Sequence, residues 1–209
     1  MTQIFKQETI STDTFVRLAR ALEQGAVAVL PTDTVYGMAT GAFCEKSIER
    51  IYQLKKRPSR QPLQLLIGQV SQVHRVALFS SEAQAAADCF WPGALTLILP
   101  PTPAGRPLLR GCPGLGIRVP AMPFLQNLLA EMTAPLACTS ANEHGCPVVT
   151  NEHDLLELFN GKVDFIVLGG TLSPTASSVV DVTGPARLLR EGVLSREKLE
   201  QVMGISFIS

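Results

Sequence analysis

The sequence predicts an α/β fold: one twisted sheet of mixed strand direction with helices packed around it. Three observations lead there. Short apolar runs of strand length alternate with helix-length stretches along the whole chain. Near the end, SSVVDV (177–182) and ARLLRE (186–191) flank Thr183-Gly184-Pro185, the pattern of an antiparallel hairpin. No linker, internal repeat or low-complexity tract divides the 209 residues, so 1–209 is expected to form a single domain.

Residues 12–24 predict the first helix. Ser11 or Thr12 can cap it, Phe15, Val16, Leu18, Ala19 and Leu22 recur at helical spacing, and Gly25 ends it. AVAVLP (26–31) is a continuous apolar run, the mark of a buried strand. Residues 45–56 predict a second helix with Ile48, Ile51 and Tyr52 inward, followed by a strand at PLQLLIG (62–68). A helix over 81–90 and strands at ALTLIL (94–99) and LGIRVP (115–120) come next. A helix over 123–132 then leads to a strand at PLACTS (135–140) that runs into a loop. DLLELF (154–159) is helical, DFIVLG (164–169) is a strand, and a helix over 195–203 follows the hairpin.

Apolar residues make up 46% of the chain and charged residues 17%, which excludes a disordered tail and a polybasic nucleic-acid coat. No apolar run approaches the ~20 residues of a membrane span. MTQIFKQETIS lacks a signal-peptide core, so a cytoplasmic protein without membrane contact is expected. Cys44, Cys89, Cys112, Cys138 and Cys146 form no CxxC pair and are odd in number, so reduced thiols are expected, several of them in the core. His74, His144 and His153 are too sparse for a protein-built zinc site.

Basic and acidic residues balance at 18 each, yet the charge is segregated. Residues 50–130 hold nine basic residues against two acids, and Lys55, Lys56, Arg57 and Arg60 crowd into LKKRPSR. Such a block points to an anionic ligand, either a phosphorylated small molecule or nucleic acid. The alternative is cations that cluster in sequence and disperse in space.

Four stretches place polar groups at strand ends, where ligands of open α/β sheets sit. PTDTVYG (31–37) offers Thr32, Asp33, Thr34 and Tyr36 to a small polar ligand, or forms an ordinary Asx or Thr turn. LKKRPSRQPL (54–63) delivers cations suited to phosphate oxygens, more than a solvated helix end requires. CTSANEHG (138–145) brings Ser140 and Asn142 to a turn whose N–H groups could form an anion-binding nest. In SSVVDVTGPARLLREG (177–192), Ser177 opens one strand and Arg190 closes the next, and Gly192 suits close approach to a ligand. There is no GxxxxGK[ST] loop, no GxGxxG fingerprint and no Ser–His–Asp set.

Taken in order, PTDTVYG, KKRPSRQPL, WPGALTLIL, GIRVP, TSAN, SSVVDV and LLREG resemble the YrdC-type family, from about residue 10 to 200. The family includes bacterial threonylcarbamoyl-AMP synthases, whose K-x-R and S-x-N elements look like Lys55 with Arg57 and Ser140 with Asn142. The resemblance implies a nucleotidyltransferase. It would join L-threonine, bicarbonate (or CO2) and ATP into threonylcarbamoyl-AMP and pyrophosphate, for N6-threonylcarbamoyladenosine formation at tRNA position 37. It implies Lys55 and Arg57 as catalytic cations on the triphosphate. Ser140, Asn142, Arg190, Gln61 and Thr150 would be further ATP contacts. Thr34, Arg118 and Ser177 would hold threonine. Mg2+ is expected only as the companion of ATP, with no protein-built metal site.

The chain stops soon after LLREG, so the likeness is to the short single-domain bacterial form. That form is expected to hand its product to other proteins of the tRNA threonylcarbamoylation pathway. Many relatives carry a His where this chain has Leu66, so one threonine contact is missing. Two rival readings are double-stranded RNA binding through the basic stretch and a carbamoyl-transfer domain of the same fold. Against the first stand a net charge of zero and 6% aromatic residues. Against the second stands the lack of zinc-finger-like cysteines.

Overall fold

The computed structural model describes residues 1–56, 62–172 and 175–208. Its strands are β1 (Gln3–Lys6), β2 (Ala28–Leu30), β3 (Gly37–Gly41), β4 (Gln64–Leu66), β5 (Leu95–Leu99), β6 (Leu115–Arg118), β7 (Leu136–Ser140), β8 (Phe165–Leu168), β9 (Ser178–Asp181) and β10 (Arg187–Arg190). The helices are α1 (Thr12–Glu23), α2 (Glu45–Lys55), α3 (Val70–Val76), α4 (Ser81–Phe90), α5 (Pro123–Ala130), α6 (Glu152–Phe159) and α7 (Arg196–Met203). The strands form one sheet in the order β1-β8-β2-β3-β7-β4-β6-β5-β9-β10. Pairs β1/β8, β2/β8, β4/β6 and β5/β9 are parallel, and β2/β3, β3/β7, β4/β7, β5/β6 and β9/β10 are antiparallel. The mixed sheet and the terminal hairpin are therefore as the sequence predicts.

Helix ends follow the sequence closely. Ser11, Ser80, Asn151 and Ser195 each accept a hydrogen bond from a backbone N–H of the first turn, capping α1, α4, α6 and α7. Helix α2 stops at Lys56, whose left-handed backbone (φ 52°) turns the chain away. No described helix is long and apolar enough to cross a membrane.

The two faces of the sheet are covered unequally. On one face, Ile48, Ile51, Val73, Ala83, Phe90, Leu155, Phe159 and Leu199 of α2, α3, α4, α6 and α7 pack on strand residues including Val29, Met38, Leu65, Leu97, Ile117 and Val180. On the other face, α1 and α5 supply Leu18, Leu22, Phe124, Leu125 and Leu128, which pack on Ala28, Leu30, Ala39, Leu66, Leu136 and Val167. No member of that second cluster comes from β5, β6, β9 or β10. Alternation along these strands turns Leu95, Leu97 and Leu99 into the first core and leaves Thr96 and Ile98 on the opposite side. The half-covered face is the floor of the site described below.

Three elements escape the sequence reading. Strand β1 is a short edge strand whose residues are mostly exposed, so it shows no apolar alternation. Strand β3, GMATG, combines glycines and alanine, poor strand formers on propensity, yet every residue is buried. Helix α3 has seven residues, two of them in the core, too short to show a period. Gly37 explains part of the β3 composition. It pairs with Ser140, and a Cβ placed on it would stand 2.5 Å from Cys138 Sγ.

Gly37→Ala should therefore destabilise the protein by about 1–3 kcal/mol through overpacking. The check is the denaturant midpoint, with Cys138→Ala added to the variant. The second change should restore most of the loss, because it empties the space the new methyl group needs.

Candidate functional site

A cleft of about 760 Å³ opens over the uncovered half of the sheet. Its floor comes from alternate residues of adjacent strands: Gln64, Gly116 and Arg118, Thr96 and Ile98, Ser177, Val179 and Asp181. Lys55, Ser140 and Asn142 line one side, and Gly111 to Gly114 line another.

At the first side, two sequence-distant elements meet. Lys55 is 2% exposed, and its ammonium donates to the Ser140 carbonyl, to the Asn142 carbonyl at 2.8 Å and to Asn142 Oδ1 at 3.0 Å. Ser140 Oγ donates to Asn142 Oδ1 (2.6 Å), and Asn142 Nδ2 donates to the Cys146 carbonyl (2.6 Å). An ammonium removed from water requires such a set of oxygens. Lys55 thus ties the end of α2 to the loop after β7. The expected backbone nest is not there: Ala141 N–H donates to the Tyr36 carbonyl and Asn142 N–H to the Ser140 carbonyl.

The opposite region centres on Arg118, 3% exposed. Its Nε donates to the Gly93 carbonyl at 2.9 Å and its Nη1 to Thr34 Oγ1 at 3.0 Å, while Nη2 forms an ion pair with Asp33. Asp33 is held in turn by the Ala121 N–H at 3.0 Å. A polar chain continues across the floor, from Gln64 Nε2 to Thr96 Oγ1 (2.7 Å) and on to Ser177 Oγ (2.9 Å). Arg190 donates through Nε to the Ser177 carbonyl (2.9 Å) and through Nη2 to Ser177 Oγ (3.1 Å). Burial, and then the like charge of Arg118, lower the Arg190 pKa below its ordinary value. Two guanidiniums facing one cleft with that mutual repulsion form a site that an anion would stabilise.

Thr34, Lys55, Arg118, Ser140, Asn142, Ser177 and Arg190 all line this cleft, as their sequence assignments to one site require. Thr150 does not line it; its carbonyl accepts from the Leu172 N–H. Arg57 and Gln61 lie outside the described residues. In PTDTVYG only Thr34 and Val35 reach the cleft. Thr32 Oγ1 donates to the Val35 carbonyl, and Tyr36 Oη bridges Gly169 and Gly170, so both are structural. Gly192 serves no ligand approach: a Cβ there would strike the Ala176–Ser177 backbone, and its N–H donates to Ser178 Oγ. Leu66 is buried in the core beside α5, away from the cleft.

The basic block is partly dispersed. Arg50 pairs with Asp164 and Lys56 with Glu143, each at 2.7 Å, while Lys55 and Arg118 turn inward to the cleft. Sequence reasoning missed Gln64, Thr96, Thr139 and Asp181 as lining residues. Gln64 and Thr96 did carry a signal, as single polar residues inside the apolar runs LQLL and LTLI.

Fold and site together define an α/β protein with a cleft edged by the cationic side chains of Lys55, Arg118 and Arg190. The comparisons with known proteins give its family. The Sua5_yciO_yrdC family model, described as "Telomere recombination", matches residues 20–192, and the chain belongs to that Sua5/YciO/YrdC family. It is 36% identical over 194 residues to a threonylcarbamoyl-AMP synthase of Pyrococcus abyssi, an alignment covering 90% of this chain and 57% of the relative. It is 34% identical to the Bacillus subtilis threonylcarbamoyl-AMP synthase, covering 89% and 55%. The chain thus spans little more than half the length of these relatives. The structure of P. abyssi Sua5 complexed with L-threonine superposes with a TM-score of 0.89 at 33% identity, covering 100% of this chain and 62% of that one.

No disulfide joins the five cysteines, and only Cys138 is fully buried; Cys44 and Cys112 are half-buried and Cys89 and Cys146 exposed, so fewer serve the core than the sequence suggests. Burial pushes the Cys138 thiol up to about 12, against the opposing pull of Arg118 and Lys55. At pH 8 a thiol reagent should therefore label Cys89 and Cys146 in the folded protein and reach Cys138 only after denaturation. Peptide mass mapping checks this. Labelling of Cys138 in the folded protein at the rate of Cys89 would contradict its burial and protonation.

Proposed function

We propose that the chain is an L-threonylcarbamoyladenylate synthase. One observation carries the reading: Lys55 with Ser140 and Asn142, and Arg118 with Thr34 and Ser177, line one continuous cleft. The relatives bearing the synthase name and the threonine-bound neighbour support it.

In this reading threonine sits by Arg118, which presents a guanidinium already oriented by Asp33, Thr34 and Gly93. Ser177 Oγ stands beside it, fixed by Thr96 and Arg190. The threonine ammonium and bicarbonate give the carbamate with loss of water and a proton. A carbamate oxygen attacks the α-phosphorus of ATP, and the bond from that phosphorus to the bridging oxygen breaks, with its electron pair leaving on pyrophosphate. In-line transfer of this kind needs alignment and charge neutralisation more than covalent help. Lys55 and Arg57 supply that neutralisation on the triphosphate, and Ser140, Asn142 and Arg190 position it. Gln61 and Thr150 are assigned to the nucleotide by family position alone.

Mg2+ enters as the counter-ion of ATP. The Ser140 carbonyl, the Asn142 carbonyl and Asn142 Oδ1 accept from the Lys55 ammonium, which supports a reading in which the phosphates carry the ion to the site. When bound, the ion neutralises charge developing on the leaving phosphates. The product goes to other proteins that load it onto tRNA, and the substrates and disulfide-free cysteines fit a cytoplasmic setting.

The test is ATP–pyrophosphate exchange that requires both threonine and bicarbonate. Loss of a charge-assisted hydrogen bond costs about 1.5–3 kcal/mol, so Arg118→Ala should lower exchange at subsaturating threonine by about tenfold to a hundredfold. Ser177→Ala should act in the same direction and more mildly. An exchange rate with unchanged threonine dependence in Arg118→Ala would remove it from the amino-acid subsite. Exchange that proceeds without threonine would overturn the reaction itself.

A further inference from the structure

One carboxylate lines the cleft without a part in the scheme above. Asp181 is the sole acid among the described lining residues, in a cavity it shares with Lys55, Arg118 and Arg190. A negative charge there repels phosphates, so it has to face a part of the ligand that carries hydrogen-bond donors.

Its place on the sheet is set by the register. Asp181 pairs with Ile98, and Ile98 with Gly116. Arg118 lies two residues beyond Gly116 on β6, and β6 is separated from β9 by β5 alone. A rise of about 3.3 Å per residue and a strand spacing of about 4.8 Å put Asp181 roughly 12 Å from Arg118 along the floor. Between them the floor is uncharged: Gly116 contributes no side chain, and Ile98 and Val179 are apolar. The carboxylate is also held in a fixed orientation. Oδ1 accepts from the Thr183 N–H at 2.9 Å and from Thr183 Oγ1 at 2.7 Å, and among the described residues Oδ2 accepts no hydrogen bond.

We propose that Asp181 reads the ribose of the bound nucleotide, its Oδ2 accepting hydrogen bonds from the 2′- and 3′-hydroxyls. The inference rests on the reading that ATP occupies this cleft. Threonine anchored at Arg118 sets the direction. The path from its carboxylate crosses the carbamate and the α-phosphorus before it reaches the sugar, and the 12 Å interval accommodates that path. The base lies a ring system further on. A vicinal diol offers two donors to one carboxylate, the pairing that other nucleotide sites use for ribose.

The experiment is calorimetric titration with ATP and with 2′,3′-dideoxy-ATP, without threonine or bicarbonate, so that it needs no turnover. Wild type, Asp181→Ala and Asp181→Asn are compared at fixed Mg2+. Wild type should bind ATP at least tenfold more tightly than the dideoxy nucleotide. Asp181→Ala should bring the two affinities within about twofold by weakening ATP alone. Asp181→Asn, which keeps one acceptor oxygen and the same shape, should retain part of the preference. Equal weakening of both nucleotides in both variants would make Asp181 a structural support of Thr183 and overturn the proposal. So would a changed Mg2+ requirement with the preference intact. If wild type binds no ATP at all, the synthase reading falls and takes this inference with it. If wild type binds ATP without preferring the ribose form, only the inference falls.

Discussion

The sheet has more surface than its helices cover, and the site exists because of that shortfall. One face is sealed along its length by α2, α3, α4, α6 and α7. The other is sealed by α1 and α5 only over the half that contains β8, β2, β3, β7 and β4. An apolar floor on the remaining half would be an exposed patch of the kind that drives association. The strands instead carry Thr96, Arg118, Ser177 and Asp181 there, facing a cleft, while their alternate residues complete the core behind. The same alternation that builds the fold therefore selects which side chains meet the ligand.

The cations of the cleft are held before any ligand arrives. Lys55 spends its ammonium on loop oxygens, and Arg118 is fixed by a carbonyl, a hydroxyl and a carboxylate. Such fixed donors lower the cost of reorganisation when an anion binds. They also make the site depend on long-range tertiary contacts. Lys55 and Ser140 are 85 residues apart in the chain, so the second helix and the seventh strand must both be in place before this side of the cleft exists.

Much of this was legible in the sequence, for physical reasons that can be traced. A capping residue and helical spacing disclosed α1, inward-facing apolar residues disclosed α2, and a continuous apolar run disclosed β2. Strand β3 was hidden because close packing of Gly37 against Cys138 demands a residue that strands ordinarily avoid. The two halves of the Lys55 side of the cleft were visible as cations and as a Ser-x-Asn turn. Nothing local could show that they touch; the family resemblance supplied that link. Local pattern also misjudged what polar groups were for. The amides of Ala141 and Asn142, Tyr36 and Gly192 all looked available to a ligand, and each is engaged within the protein, Gly192 by the Ser178 hydroxyl and the others by backbone. Asp181 and Thr96 went unnoticed, because their meaning depends on which face of the sheet lacks a helix.

The central claim is that one cleft receives the amino acid and the nucleotide side by side. The most direct measurement is a crystal structure with L-threonine and a non-hydrolysable ATP analogue bound together. The account expects the threonine carboxylate at Arg118, near Thr34 and Ser177, and the triphosphate reaching toward Lys55, Ser140 and Asn142. Ligands found in two unconnected places, or either one bound on the helix-covered face, would contradict it.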